Sequence, residues 1–287
     1  MWVPMRVLVA GATGVIGRRL IPLLVADGHT VFGTTRTGEG AARLRAQGAE
    51  AIVLDVYDRD ALVRGAREAR PDAVIHQLTD LSAGSSEANA AIRTTGTRAL
   101  VDAALAAGAR RMVAASVSWA YGEGSAPAAE SEPLDRAAGL PRSVLLGGVM
   151  ALEDAVAEIA EPVVLRYGTV YGPGSWYSRD GLMASRAREQ ALVADDSVTS
   201  FVHADDAAAA CALALGWPPG TVNICDDEPA PATAWMPVFA EIVGAPAPPR
   251  LAGAPPWARG ASNRRAREQL GWSPRYPSWR EGFSRAL

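Results

Sequence analysis

The stretch "VLVAGATGVIGRRL", Val7 to Leu20, constrains this chain more than any other. An apolar, β-branched run enters Gly11-Ala-Thr-Gly14-Val-Ile-Gly17 and passes directly into a helix-patterned segment. Glycines at that spacing meet three demands: a tight turn, a close approach of backbone to a diphosphate, and a helix packed on its strand. The helix start then offers unbonded N–H groups and the positive end of its dipole to phosphate oxygens. The reading is a strand–loop–helix cradle in which Gly11, Thr13, Gly14, Val15, Ile16 and Gly17 surround a dinucleotide.

The alternation continues downstream. Met5–Ala10, Thr30–Thr35, Ala51–Leu54, Ala73–His76 and Arg111–Ser116 are expected as buried parallel strands. Val15–Asp27, Ala41–Gln47, Asp58–Ala66 and Ala88–Ala107 carry helical spacing between them. This βα order predicts an α/β, Rossmann-like doubly wound parallel sheet with right-handed crossovers. After residue 160 come another strand, "PVVLRY", and strand–helix units around "SFVHADDAAAACALAL". Proline, glycine and tryptophan then become frequent, as suits a small C-terminal substrate lobe. The expected division is 1–171 for nucleotide binding and 172–287 for the lobe, with about 199–224 returning to the core.

Composition narrows the function classes. The chain has 287 residues, 49% hydrophobic and 21% charged, with a formal net charge of −3, so nucleic acid and anionic membrane exert no general pull on it. Nothing approaches the roughly 20 apolar residues of a membrane span, and the N-terminus reads as a first strand, not a signal peptide. A soluble, cytoplasmic protein is expected, and an oligomer is compatible with the sequence. The cysteines Cys211 and Cys225 read as small buried hydrophobes, and His29, His76 and His203 show no metal spacing, so no metal site is expected. No Gly-x-Ser-x-Gly elbow appears.

The second strand ends "VFGTTRTG", without the carboxylate that NAD binders place on the ribose 2′-hydroxyl. Arg36 stands there instead, and its guanidinium fork suits a 2′-phosphate. The cofactor expected is therefore NADPH.

Taken together these segments resemble the extended short-chain dehydrogenase/reductases, the NAD-dependent epimerase/dehydratase-like branch. "GATGVIG" resembles the family's cofactor loop, "VLDVYD" its adenine-side strand end (Asp55, Val56), and "VIHQLTD" its fourth-strand end (Gln77, Leu78, Thr79). "SVSWAYG" resembles the fifth-strand end with Ser116, and "LRYGTVYGPG" the sixth-strand loop with Tyr167 near the nicotinamide. "FVHADDAAAA" and "SNRRAREQLGWSPRY" match late signatures, with Asp205 and Asp206 expected to cap a helix.

The resemblance implies a Tyr that protonates the carbonyl oxygen and, four residues on, a Lys that lowers its pKa and holds the ribose. Here the corresponding helix reads "LPRSVLLGGVMALEDAV". Counting back from Glu153 puts Val149 and Leu145 at those positions; counting from Asp154 puts Met150 and Leu146 there. Neither alignment contains a Tyr or a Lys, which disfavours an epimerase or 4,6-dehydratase. In this the chain resembles an atypical ketoreductase type, that of simocyclinone biosynthesis acting on an angucyclinone.

Three proton sources remain: Ser118 or Tyr121 from the fifth-strand loop, His203, or an acidic hydroxyl on the substrate itself. Trp119, Tyr121, Tyr171, Trp176 and Tyr177, with Ser116, are the candidate substrate contacts, since flat side chains stack on an aromatic ligand. The expectation is an NADPH-dependent ketoreductase of an aromatic polyketide ketone, using the substrate as its proton source. A redox-silent NADP(H)-binding sensor, or a non-redox cyclase or lyase on the same fold, stays open beside it.

Overall fold

The structure, a computed structural model, describes residues 3–79 and 86–287. Its first half realises the expected alternation: β1 (Arg6–Ala10), α1 (Gly17–Ala26), β2 (Thr30–Thr35), α2 (Gly38–Ala46), β3 (Glu50–Val53), α3 (Arg59–Ala69) and β4 (Ala73–His76). A helical stretch then runs as α4 (Ser86–Ala91), a π turn over Ile92–Gly96 and α5 (Thr97–Ala106), where one continuous helix was expected. It leads into β5 (Arg111–Val117), α6 (Arg142–Val156) and β6 (Glu161–Tyr167).

The remainder comprises β7 (Thr169–Tyr171), α7 (Leu182–Arg188), β8 (Val198–Thr199), β9 (Phe201–His203), α8 (Ala204–Leu213), β10 (Gly220–Ile224), β11 (Ala230–Pro231), α9 (Ala232–Ile242) and α10 (Trp279–Ala286). Among the described residues no helix is long and apolar enough to cross a membrane.

Seven strands form one sheet in the order β10-β6-β5-β4-β1-β2-β3. β1 pairs in parallel with both β2 and β4, so the winding reverses between β1 and β4. In such sheets ligands settle at that switch point, beyond the strands' carboxyl ends. The strands are near-continuous apolar runs because helices cover them. Leu8, Val74, Met112 and Ala114 pack with Leu62 and Ala66 of α3, Leu100 and Ala104 of α5, and Leu152 of α6 in one buried cluster.

The chain forms two compact units that interleave in sequence. The first comprises Met1–Ser116, Ala137–Leu165 and Ala208–Thr221; the second comprises Val117–Arg136, Arg166–Ala207 and Val222–Leu287. The cut expected at residue 171 thus falls elsewhere: the chain leaves the first unit already after Ser116, and the returning segment is 208–221. In the second unit β7 and β9 pair in parallel, and Tyr171, Tyr177, Phe201, Trp235, Phe239 and Phe283 meet edge to face. Asp206 lies in the first turn of α8, and its carboxylate accepts the backbone N–H groups of Arg275 (2.7 Å) and Tyr276 (3.0 Å), tying a late loop down.

Candidate active site

The carboxyl ends of β1, β2, β3 and β4 in the first unit carry the cradle. Gly11 adopts φ +85°, and a Cβ there would lie 2.5 Å from the Gln77 carbonyl oxygen. At Gly17 a Cβ would strike the Gly11 carbonyl oxygen at 2.2 Å, so helix and loop touch only because neither has a side chain. Gly14 differs. Its N–H donates to the Gly11 carbonyl at 3.1 Å, and an added Cβ would meet only that same oxygen, at 3.2 Å. Gly14 and Thr13 are exposed, while Val15 and Ile16 are half-buried. No side chain caps the start of α1, and its first turn holds no acid. An uncapped helix start beside an open glycine fits the diphosphate of a dinucleotide.

The other cradle residues lie around it. Gln77 is buried, its N–H donating to Ala10 (2.8 Å) and its side-chain amide to Cys211 Sγ (3.3 Å). Leu78 is half-buried and Thr79 exposed; the next residue of the motif, Asp80, lies outside the described residues. Arg36 is exposed directly after β2, and Thr37 caps α2 by accepting the Gly40 N–H at 3.0 Å. Asp55 is exposed after β3 and accepts the Tyr57 N–H at 3.0 Å, while Val56 is buried in the core.

On α6 the two acids that anchor the countings differ in setting. Ser116 Oγ, at the end of β5, donates to Glu153 Oε1 at 2.6 Å, whereas Asp154 is exposed. The stripe bearing Glu153 therefore faces β5, and four and eight residues back along it stand Val149 and Leu145. Under either counting, Val149 with Leu145 or Met150 with Leu146, the counted positions hold apolar side chains. Ser116 is buried with its proton committed to Glu153, rather than turned to a ligand as expected.

The second unit takes several expected site residues into its interior. Tyr121 is buried, its hydroxyl donating to Asn223 Oδ1 at 2.7 Å and its ring lying under the Arg166 guanidinium (4.7 Å). Burial outweighs that cation and pushes the phenol up to about 12. The expected roles of Tyr121 as proton donor and substrate contact are corrected to packing. Tyr171 is buried at the centre of the aromatic cluster, edge to face with Phe201, His203 and Phe283, not on an exposed loop. Burial raises its pKa strongly, with the nearby Asp226 and Asp206 adding to the shift.

Tyr177 is half-buried against Phe201, Trp235 and Phe239 and is pushed up to about 12 by burial. Ser118 and Tyr167 are buried, as is His203, whose Nδ1 accepts the Asp205 N–H at 3.2 Å. Trp119 and Trp176 remain half-exposed. Four buried ionisable groups among the described residues escaped the sequence reading: Arg93, Arg166, Asp226 and Arg259. Arg93 looks like any solvated helix arginine, and Asp226 like one acid of a loop.

A family model described as the NAD dependent epimerase/dehydratase family matches residues 7–225. A 3-diazoavenalumate denitrifying reductase from Streptomyces sp is 42% identical over 98% of this chain and 100% of its own length. A 4-hydroxy-2-methyl-3-oxo-4-farnesyl-3,4-dihydroquinoline-1-oxide ketoreductase from Stigmatella aurantiaca is 34% identical over 42% of this chain and 36% of its own. Among solved structures, a UDP-glucose 4-epimerase from Thermus thermophilus in complex with NAD superposes with a TM-score of 0.76 at 24% identity, covering 96% of each chain. The fold, the glycine cradle and these likenesses agree, and the chain belongs to the NAD-dependent epimerase/dehydratase family.

Proposed function

We propose that the protein is an NADPH-dependent reductase that directs hydride to a small aromatic acceptor and contributes no proton of its own. The observation that carries this reading is the stripe Leu145–Val149–Glu153: a cradle fit for a dinucleotide stands beside a helix with no tyrosine or lysine to work with it. When bound, the cofactor supplies the hydride. The chain's own residues bind and orient. The glycine loop and the start of α1 hold the diphosphate, Arg36 meets the 2′-phosphate, and Asp55 and Val56 border the adenine side. We assign nucleotide binding to the first unit; in the second, Trp119 and Trp176 retain exposed aromatic surface on which a flat ligand stacks.

An enzyme without a proton donor suits an acceptor that needs none. The Streptomyces relative's name joins a diazo compound to reductive loss of nitrogen. Replacing dinitrogen by hydride at a diazonium carbon forms one C–H bond, breaks one C–N bond and neutralises the cation, with no proton consumed. This is the leading reading of the acceptor. A ketone is the second, favoured by the Stigmatella ketoreductase, and it demands a proton on oxygen from a neighbouring phenol or enol of the substrate.

Single-turnover reactions with 4-deuterated NADPH would decide between them, using 4-hydroxybenzenediazonium and a panel of hydroxyaryl ketones. The expected result is cofactor oxidation, dinitrogen release and deuterium on the former C–N carbon. Oxidation with ketones alone would transfer the assignment to the second reading. Tight NADP(H) binding with no oxidation by any acceptor would overturn both in favour of a sensor.

A further inference from the structure

The first unit holds a buried cation with no anion beside it among the described residues. Arg93 is 8% exposed, yet within that set no carboxylate pairs with it and no hydrogen bond satisfies it. Arginines are almost never so buried without a partner, because desolvating the charge costs several kcal/mol that only an opposing charge returns. Among the described residues burial alone acts on the guanidinium, lowering its pKa from the ordinary value, and an arginine so lowered still carries its charge.

Its setting is specific. Arg93 belongs to the π turn Ile92–Gly96, and such interruptions recur at functional sites. On one side is His76, at the carboxyl end of β4, which feels the Arg93 charge. His76 Nδ1 accepts the Leu78 N–H at 3.2 Å, and Nε2 lies 2.8 Å from Thr97 Oγ1. Burial first and Arg93 second bring its pKa down to about 4, so it is neutral and cannot balance the arginine. On another side is α6. A Cβ on Gly148 would lie 3.5 Å from Arg93 Cβ, and the next two residues, Val149 and Met150, are those at which the countings place the family's lysine. Arg93 thus stands on a helical segment packed against α6, the helix that lacks the lysine.

We propose that Arg93 is the anion-binding residue of this site, receiving a carboxylate or phenolate oxygen of an aromatic substrate. The assignment rests on the reductase reading and adds the charge of the substrate to it. The planar fork offers paired donors to such an oxygen, and in a desolvated setting the attraction is strong. It also polarises the acceptor: an oxygen held by a cation draws electron density from the ring that receives hydride.

The test is equilibrium binding in the presence of NADP⁺, followed by tryptophan fluorescence. The probes are 4-hydroxybenzoate against 4-hydroxybenzamide, and 4-nitrophenolate against 4-nitroanisole. The wild-type protein should bind the anion of at least one pair about tenfold or more tightly than its neutral partner, and the pair that discriminates identifies the oxygen. Arg93→Gln should abolish the preference while leaving NADP⁺ affinity unchanged, and guanidinium added to Arg93→Ala should restore it, which a purely structural arginine would not allow. Equal binding of anion and neutral analogue by the wild type overturns the assignment without reference to any variant, as does a preference that survives in Arg93→Gln. Because no turnover is needed, a protein inert toward every acceptor still tests Arg93, and failure at Arg93 leaves the NADPH oxidation assays standing.

Discussion

At Tyr121 the phenol is buried, bonded to Asn223 and raised to about 12, so its proton is held away from chemistry near neutral pH. Tyr121→Phe should leave turnover nearly unchanged and destabilise the protein by about 1–3 kcal/mol, the cost of stranding a buried acceptor. Parallel measurement of kcat and thermal unfolding checks it, and a rate loss of about 100-fold or more with unchanged stability would restore Tyr121 as the acid. Arg36 presents the opposite case: an exposed side chain whose loss should cost the fold nothing. Arg36→Ala should weaken NADPH binding by about tenfold or more while hardly altering NADH binding, since only the former carries the 2′-phosphate. Equal losses for both cofactors would remove Arg36 from the nucleotide site.

Helix α1 and its loop turn on two glycines that a motif treats alike and the structure separates. Gly17→Ala drives a methyl to 2.2 Å from the Gly11 carbonyl oxygen, so the loop must move and the soluble yield or melting temperature should fall. Gly14→Ala meets only 3.2 Å at one oxygen and should fold, yet lose nucleotide affinity because the methyl stands where the diphosphate approaches. Calorimetric titration beside thermal unfolding distinguishes the two. A Gly14→Ala variant that keeps full affinity would move the diphosphate off this loop. At the same scale, the stretch Ala88–Ala107 was legible as helix because its periodicity is local. The π turn inside it was not, because the segment meets His76 and α6 only after folding.

Over the whole molecule, one buried group in each unit gives stability opposite dependences on pH. His76, in the first unit, is lowered from 6.5 to about 4, mainly by burial. A depressed histidine favours the neutral form, so its contribution is complete above its unfolded value and is lost as pH falls through about 4. Asp226, in the second unit, is raised from 3.8 to about 8, again chiefly by burial. Its Oδ2 is buried without a hydrogen-bond partner among the described residues, while Oδ1 accepts the Glu228 N–H at 3.3 Å. The protonated form is the one favoured, so its contribution is complete below its unfolded value and is lost as pH rises through about 8. Asp226→Asn, neutral and of the same shape, should flatten the alkaline fall in melting temperature and leave the acid limb unchanged. A variant with the wild-type alkaline limb would assign that loss to another group.

The sequence by itself determined the βα alternation, the glycine cradle and the absence of the Tyr/Lys pair. Each is a local matter: a period of two or 3.6, a backbone that tolerates no Cβ, a residue type missing from one helix. Tertiary structure alone decided that Glu153, not Asp154, marks the stripe facing β5, through a hydrogen bond spanning 37 residues. It decided that Tyr121 is sealed against Asn223, 102 residues away, and that the chain leaves its first unit after Ser116. It alone left Arg93 buried with no carboxylate beside it among the described residues. Burial and pairing are properties of what the folded chain brings together across long separations. The spacing of residues along one sequence carries no record of that.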